Sequence, residues 1–427
     1  MTMHTVLLKE KLQSGALEKY GHLYRDVKQQ SARYLRAIEA FEAKFGEREE
    51  LFLFSVPGRS ELSGNHTDHN FGRVLAGAID RDIIAVVAKS ADGAVQLKSE
   101  GFPMDSVCLA DVPDKNNFKK FTSSALIAGM LSAFAQRGLA TGGFDAYTET
   151  EVLKGSGLSS SAAFEVMVGN ILNHLYNGGK VDNQEIAKMA QYAENEYFGK
   201  PCGLMDQMAC AVGSFVAIDF ADPASPVVEP IDFSLSDAGY ALCIVNTGGN
   251  HADLNEDYAS VPAEMKAVAS ALGQAVLRPV NEKELLAKIP ALREQVGDRA
   301  VLRALHFLRE NERVEKQKAA LLAGDVQAFL ELALASGDSS FKYLQNVYTT
   351  KNVGEQGLSL ALCLTEGFLK GKGCAWRVHG GGFAGTVQAY VKKELADEYC
   401  AFMDSVFGKG ACMRLAIRAE GAVAITL

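Results

Sequence analysis

The sequence has no uninterrupted apolar run long enough to cross a bilayer and no excess of positive charge. Its 43 basic residues are outnumbered by 52 acidic ones, a net charge of −9, so general attraction to nucleic acid or an anionic membrane is not indicated. The eight cysteines include no Cys-x-x-Cys pair, and several lie in apolar runs such as Ala-Leu-Cys-Ile. Buried free thiols in a reducing cytoplasm explain that pattern better than disulfides or zinc. The histidines form no His-Glu-x-x-His motif, and a structural metal is not expected. The opening residues are too polar for a secretory signal, which points to a cytoplasmic protein. Internal repeats and low-complexity tracts are missing. So is Gly-x-x-x-x-Gly-Lys-Ser/Thr, which excludes a P-loop enzyme.

What is present suits a soluble globular protein: 48% hydrophobic and 22% charged residues over 427 positions, enough for two domains or one large one. Residues 1 to about 46 read as helical, with Tyr34, Leu35, Ile38, Phe41 and Phe45 forming a stripe before Gly46. The short apolar runs 51–56 and 83–88 read as buried strands. A helix is expected over 121–136, a strand over 144–152, and a helix after the Gly/Ser cluster at 155–161. Asp182-Asn183-Gln184-Glu185 has the capping-box pattern and opens another helix, ending at Gly199. Strands follow at 213–219, 240–245, 375–379, 386–391, 413–418 and 422–427, with several helices between 262 and 370. The linker-like stretch at 221–226 puts a boundary near 225, dividing the chain into 1–225 and 226–427. Strands mixed with clustered helices favour an α+β fold.

Four stretches could carry chemistry. Gly155-Ser156-Gly157-Leu158-Ser159-Ser160-Ser161 joins a strand to a helix. Glycines there let the backbone approach a ligand, and the helix N-terminus offers free N–H groups to phosphate. The same cluster could be an ordinary N-cap turn. It also begins like a dinucleotide fingerprint, but the third glycine is a serine and no clear βαβ unit surrounds it. The polar run 59–70 contains Arg59, His66 and Asp68 directly after a buried strand. It reads either as a solvated loop or as a binding loop positioned by the sheet, with short polar groups suited to a sugar. Asp206, set between apolar residues, must be paired if buried, and Arg59 is a candidate partner. The glycines of 380–385 are a hairpin turn or a place of close backbone approach.

Taken together and in this order, the motifs resemble the GHMP small-molecule kinases and, within them, the galactokinase family. Residues 58–72 are similar to that family's signature Gly-Arg-x-Asn-Leu-Ile-Gly-Glu-His-Thr-Asp-Tyr-Asn-x-Gly. The Gly/Ser cluster resembles its Gly-Gly-Gly-Leu-Ser-Ser-Ser-Ala ATP loop, 202–207 its catalytic-aspartate segment, and 380–385 its third motif. The resemblance implies a GHMP kinase fold: an N-terminal domain like domain 2 of ribosomal protein S5, a ferredoxin-like C-terminal domain, and an active site in the cleft between them. It implies Asp206 and Arg59 as catalytic residues, and Asn65, His66, Asp68, Gly203 and Tyr258 as sugar contacts. Gly155, Ser156, Gly157, Leu158, Ser159, Ser160 and Ser161 would hold ATP, with Ser161 and Glu194 associated with Mg²⁺. The Tyr258 match rests on the looser Asn246…His251…Tyr258 spacing.

The implied reaction is transfer of the ATP γ-phosphate to the C1 hydroxyl of α-D-galactose. Departures fall on the sugar side: Asn65 replaces the signature glutamate, which in the family contacts the sugar near O6. Glu61 replaces the earlier asparagine, Ser63 the isoleucine and His69 the tyrosine. A related sugar such as galacturonate or N-acetylgalactosamine stays open, as does a non-catalytic galactose sensor. Galactose and ATP are the expected partners, without nucleic acid or membrane, and a monomer is favoured.

Overall fold

The computed structural model describes residues 3–152, 157–200, 202–249 and 254–427. In chain order the first part contains β1 (Met3–His4), α1 (Thr5–Gln13), α2 (Val27–Phe45), β2 (Glu50–Ser63), β3 (Arg73–Ser90), β4 (Ala94–Ser99), β5 (Met104–Cys108) and α3 (Ser123–Gln136). It continues with β6 (Gly143–Thr150), α4 (Ser160–Tyr176), α5 (Asn183–Tyr192), α6 (Met205–Val212), β7 (Phe215–Asp219) and β8 (Val227–Ile231). The second part contains β9 (Tyr240–Asn246), α7 (Asn255–Ala271), α8 (Glu282–Val296), α9 (Asp298–Leu322), α10 (Val326–Ser339) and α11 (Gly357–Leu369). It closes with β10 (Ala375–His379), β11 (Thr386–Lys392), α12 (Lys393–Phe407), β12 (Cys412–Leu415) and β13 (Val423–Ile425).

The larger sheet runs β1-β2-β3-β6-β4-β5, with β13 on β2, and β7 and β8 extending from β3. A smaller antiparallel sheet has the order β10-β11-β9-β12. Alternation along β2 and β3 explains their unbroken apolar runs. Phe54, Val56, Ala85 and Val87 join the core beneath α3 to α6, while Leu51, Leu53, Ile84 and Val86 join a second core under α1 and α2. A strand buried on both faces has no polar face to show. Each large apolar side chain buried this way contributes about 1.5–3 kcal/mol.

Several expectations need correction. The N-terminal helix is two helices: left-handed Gly15 (φ 86°) and a 3-10 turn at Ala16–Tyr20 separate them, and Asp26 caps the second through the Gln29 N–H. The run 59–70 is not all loop. β2 continues to Ser63, with register shifts at Pro57/Arg59 and Glu61/Ser63 that absorb Pro57-Gly58 inside the strand. Asp206 lies in the first turn of a helix, α6, that precedes the expected strand, and β4, β5 and α12 are additional elements. The last strand, for which the sequence assigns no partner, pairs with β2 of the larger sheet. The expected boundary near 225 falls in the β7–β8 turn, and β8 beyond it continues the larger sheet.

Candidate active site

Arg59 lies on the bulged stretch of β2, which runs beside the backbone of the serine loop. The Arg59 N–H donates to the Leu158 carbonyl at 3.1 Å, and a Cβ on Gly58 would stand 2.7 Å from that same oxygen. Glycine at 58 therefore permits the approach. The guanidinium grips Asp206, in the first turn of α6, with two parallel bonds: Nε to Oδ1 and Nη2 to Oδ2, both 2.7 Å. Its Nη1 donates to the Gly157 carbonyl at 2.5 Å. Ser159 heads α4 in the left-handed region (φ 57°) and makes no side-chain cap; its hydroxyl donates to Asp206 Oδ2 at 2.5 Å. That contact takes the Ser159 hydroxyl away from an N-cap role. The hydroxyl serves the carboxylate, and the first turn of α4 keeps its N–H groups for another acceptor.

Burial alone would raise the Asp206 pKa, but Arg59, the Ser159 hydroxyl and Lys200 hold it below the usual carboxylate range. The side chain is still a third exposed (33%), so an ionised acceptor faces open space. His379 of β10 lies behind this pair, hydrogen-bonded to Ser60 at 3.0 Å and Thr386 at 2.8 Å. Burial, then the charges of Arg59 and Arg377, push it down to about 3, so it is neutral. A neutral imidazole adds no charge beside Arg59.

Ser161 and Glu194 do meet, Oγ to Oε1 at 3.5 Å, long for a hydroxyl–carboxylate bond. Glu194 also accepts from Gln207 at 2.7 Å and Lys200 at 3.3 Å. Glu165, one turn beyond Ser161, accepts from Gln207 at 3.2 Å, and its other oxygen is buried without a partner. Burial and then Glu194 raise Glu165 well above the carboxylate range. An all-oxygen donor set with one unmatched carboxylate oxygen fits a hard divalent cation. Beside Ser160 and Ser161 opens a cavity of about 560 Å³ lined by Phe102, Leu126, Val152, Phe164 and Phe198. Its apolar, partly aromatic wall suits a flat ring such as a nucleobase. Phe102 belongs to the β4–β5 turn. The left-handed Gly101 in that turn (φ 75°) and the alternation of Val95 and Leu97 with Gln96 and Lys98 are the signals of that hairpin.

On the opposite side, Gly203 and Asp68 are in contact: a Cβ at 203 would lie 2.5 Å from Asp68 Oδ2. His66, itself left-handed (φ 58°), bonds the Gly381 carbonyl at 2.9 Å, and the Tyr258 hydroxyl donates to the Gly382 carbonyl at 2.8 Å. The glycine hairpin between β10 and β11 is thus both a turn and a place of close approach. Asn65 is placed differently. It is fully buried, donating to Glu61 at 3.0 Å and the Gly380 carbonyl at 2.6 Å, and accepting from Asn346 at 2.7 Å. Its amide is committed to the interior, with Arg377 pairing Glu61 at 3.0 Å behind it. Gly155, Ser156 and His251 lie outside the described residues.

Residues 123–214 match the GHMP kinases N terminal domain, and residues 39–89 match the galactokinase galactose-binding signature. Fold and site therefore define a kinase of the GHMP class. Among solved structures, that of Lactococcus lactis galactokinase complexed with galactose is 25% identical, with a TM-score of 0.77 over 92% of this chain and 100% of that one. A mevalonate kinase structure shares the fold at 15% identity and a TM-score of 0.61, covering 86% of this chain and 99% of that one. The galactokinase of Streptomyces coelicolor is 32% identical over 383 residues, 86% of this chain and 94% of its own. The galactokinase of Bacillus subtilis is 29% identical, over 84% and 90% respectively. The chain belongs to the galactokinase family.

Proposed function

We propose that the protein transfers the ATP γ-phosphate to the C1 hydroxyl of galactose. The observation that carries this is the Arg59–Asp206 pair, held bidentate and tied to Gly157 and Ser159 of the serine loop. Phosphoryl transfer asks mainly for in-line positioning and stabilisation of spreading charge. Asp206, facing open space as an anion, orients the C1 hydroxyl and accepts its proton. Its lowered pKa makes it a weak base, so the proton moves late, as the oxygen–phosphorus bond forms. Arg59 keeps Asp206 ionised and brings positive charge to the serine loop where the transferring phosphoryl would lie. Asp68, His66 and Tyr258 hold the sugar, and Gly203 makes room for Asp68.

The phosphates lie along the serine loop against the first turn of α4, with the base in the apolar cavity. Ser161 and Glu194 would hold Mg²⁺, which would neutralise charge on the β- and γ-phosphates. Lys200 neutralises Glu194 otherwise. The reading places the enzyme in the cytoplasm as a monomer. No helix among the described residues is long and apolar enough to cross a membrane.

One observation favours a second reading of the sugar. With the Asn65 amide turned inward, the position of the signature glutamate presents no carboxylate, so a sugar carrying its own carboxylate at C6 meets no repulsion there. ADP release measured over galactose, galacturonate, N-acetylgalactosamine and glucose distinguishes the two. Galactose should give the highest kcat/KM. A value tenfold higher for galacturonate would transfer the assignment, and binding of both substrates without turnover would make the protein a sensor.

A further inference from the structure

Away from the site, on the outer face of the smaller sheet, three cysteines distant in sequence converge. In the antiparallel register of β9 and β12, Cys412 stands opposite Val245 and Arg414 opposite Cys243. Cys243 and Cys412 therefore point to the same face. The helix α12 covers that face and brings Cys400 down onto them. Cys412 Sγ is 3.0 Å from Cys400 Sγ, Cys243 Sγ is 4.0 Å from it, and all three sulfurs lie within 4.8 Å of one another.

The approach is braced independently of the thiols. The Asp404 carboxylate, one turn beyond Cys400, accepts from the Cys412 N–H and the Gly410 N–H, both at 2.8 Å. The start of β12 is thereby fastened to α12. Cys400 is half-buried, and Cys243 and Cys412 are buried among Val245, Tyr399 and Met403.

We propose that Cys400 and Cys412 form an oxidation site, a thiol pair that closes to a disulfide when the protein meets a peroxide. Two chemistries compete for three clustered thiols, and the surroundings decide between them. A soft metal ion would require several thiolates in an apolar pocket, and no fourth ligand completes the cluster among the described residues. A disulfide is neutral and removes both acidic protons from that pocket. Cys400 is the sulfur an oxidant reaches, and hydrogen bonds from the Cys243 and then the Cys412 thiols lower its pKa.

The Cys400 thiolate attacks one peroxide oxygen and the O–O bond breaks. This gives Cys400 sulfenic acid and a hydroxide, which takes up the proton Cys400 had lost and leaves as water. The Cys412 sulfur then attacks the sulfenic sulfur, and its proton departs with the hydroxyl as a second water. Two thiols lose two electrons and hydrogen peroxide is reduced to two waters. Cys243 stays reduced.

The test uses the full chain with the exposed Cys108 and Cys363 changed to serine, reduced and then treated with stoichiometric hydrogen peroxide. After unfolding, free thiols are alkylated and the peptides mapped by mass spectrometry. The expected result is a Cys400–Cys412 link, loss of two alkylation sites, and their return with dithiothreitol. Cys412→Ser should stop at a Cys400 sulfenic acid trapped by dimedone. If Cys412→Ser does not fold, Cys400→Ser serves instead and should leave Cys412 reduced. A link between any other pair, or both thiols alkylated after peroxide, overturns the proposal. So does a reduced protein that retains a thiophilic ion against a chelator while peroxide leaves the pair unlinked.

Discussion

Asp206 faces two opposed demands: it must be an anion to receive a proton, yet it lies on a helix packed into the core. Arg59 resolves this by binding both carboxylate oxygens, and Ser159 adds a third hydrogen bond. Asp206→Asn keeps the shape and removes the proton acceptor. We expect kcat for ADP release to fall by about 10²–10⁴-fold with an unchanged circular dichroism spectrum, and a kcat within tenfold of the parent would displace Asp206 from the reaction. Gly203 tests the sugar side. A methyl there would stand 2.5 Å from Asp68 Oδ2, the end of a half-exposed side chain that can swing away. Gly203→Ala should therefore fold normally, while the KM for the sugar rises by about tenfold, the cost of roughly one displaced hydrogen bond. An unchanged sugar KM would show that Asp68 does not touch the sugar.

At the scale of elements, β2 shows what the sequence could and could not disclose. Residues 51–56 were legible because both faces of that stretch are apolar and buried. Residues 59–63 read as loop because their side chains are polar, yet Ser60, Glu61 and Ser63 are buried too. Their partners, His379, Arg377 and Glu310, come from 247 to 319 positions away, and no local pattern announces them. Arg59 and Asp206 were paired correctly because a buried charge demands an opposite one. The apolar cavity was not legible because one of its walls, Phe102, belongs to the unrecognised β4–β5 turn. The interior of β2 carries its own prediction. Arg377 is fully buried, and Glu61 is its carboxylate partner, with two guanidinium nitrogens otherwise unmatched. Glu61→Gln removes the carboxylate hydrogen-bonded to that cation, leaving only the more distant charge of Glu310, and should lower unfolding free energy by about 3–5 kcal/mol in urea titration. Glu61→Gln combined with Arg377→Met should recover most of the loss. A single variant within 1 kcal/mol of the parent, roughly the value of a surface pair, would mean Glu61 does not neutralise Arg377.

For the whole molecule, acid should act through histidines that are neutral because they are buried where the two parts of the chain meet. His306 of α9 bonds the Asn65 carbonyl at 2.9 Å, and His379 of β10 bonds Ser60 of β2 at 3.0 Å. His69 lies in the turn after β2. Burial lowers His306 and His69 to about 4 against the opposing pull of Glu310 and Asp68, and burial with the charges of Arg59 and Arg377 lowers His379 to about 3. In the unfolded chain each returns to about 6.5. Between those values the unfolded state binds more protons than the folded one, so stability is complete above 6.5 and is lost as pH falls below it. Each histidine contributes a slope of about 1.4 kcal/mol per pH unit, so the three together give about 4 kcal/mol per unit near pH 5. Glu310 extends the loss further. Burial opposes its charge, but Arg313, His306 and Arg377 hold it at about 2, so its contribution begins to disappear below the ordinary carboxylate range. The melting temperature should be level from pH 8 to 7, then fall steeply from 6 to 4.5. Loss of ADP release should track the melting curve, since Asp206 stays ionised throughout that range. A melting temperature unchanged down to pH 4.5 would require these histidines to be protonated in the folded protein, and with them a hydrogen-bond pattern across β2 different from the one described.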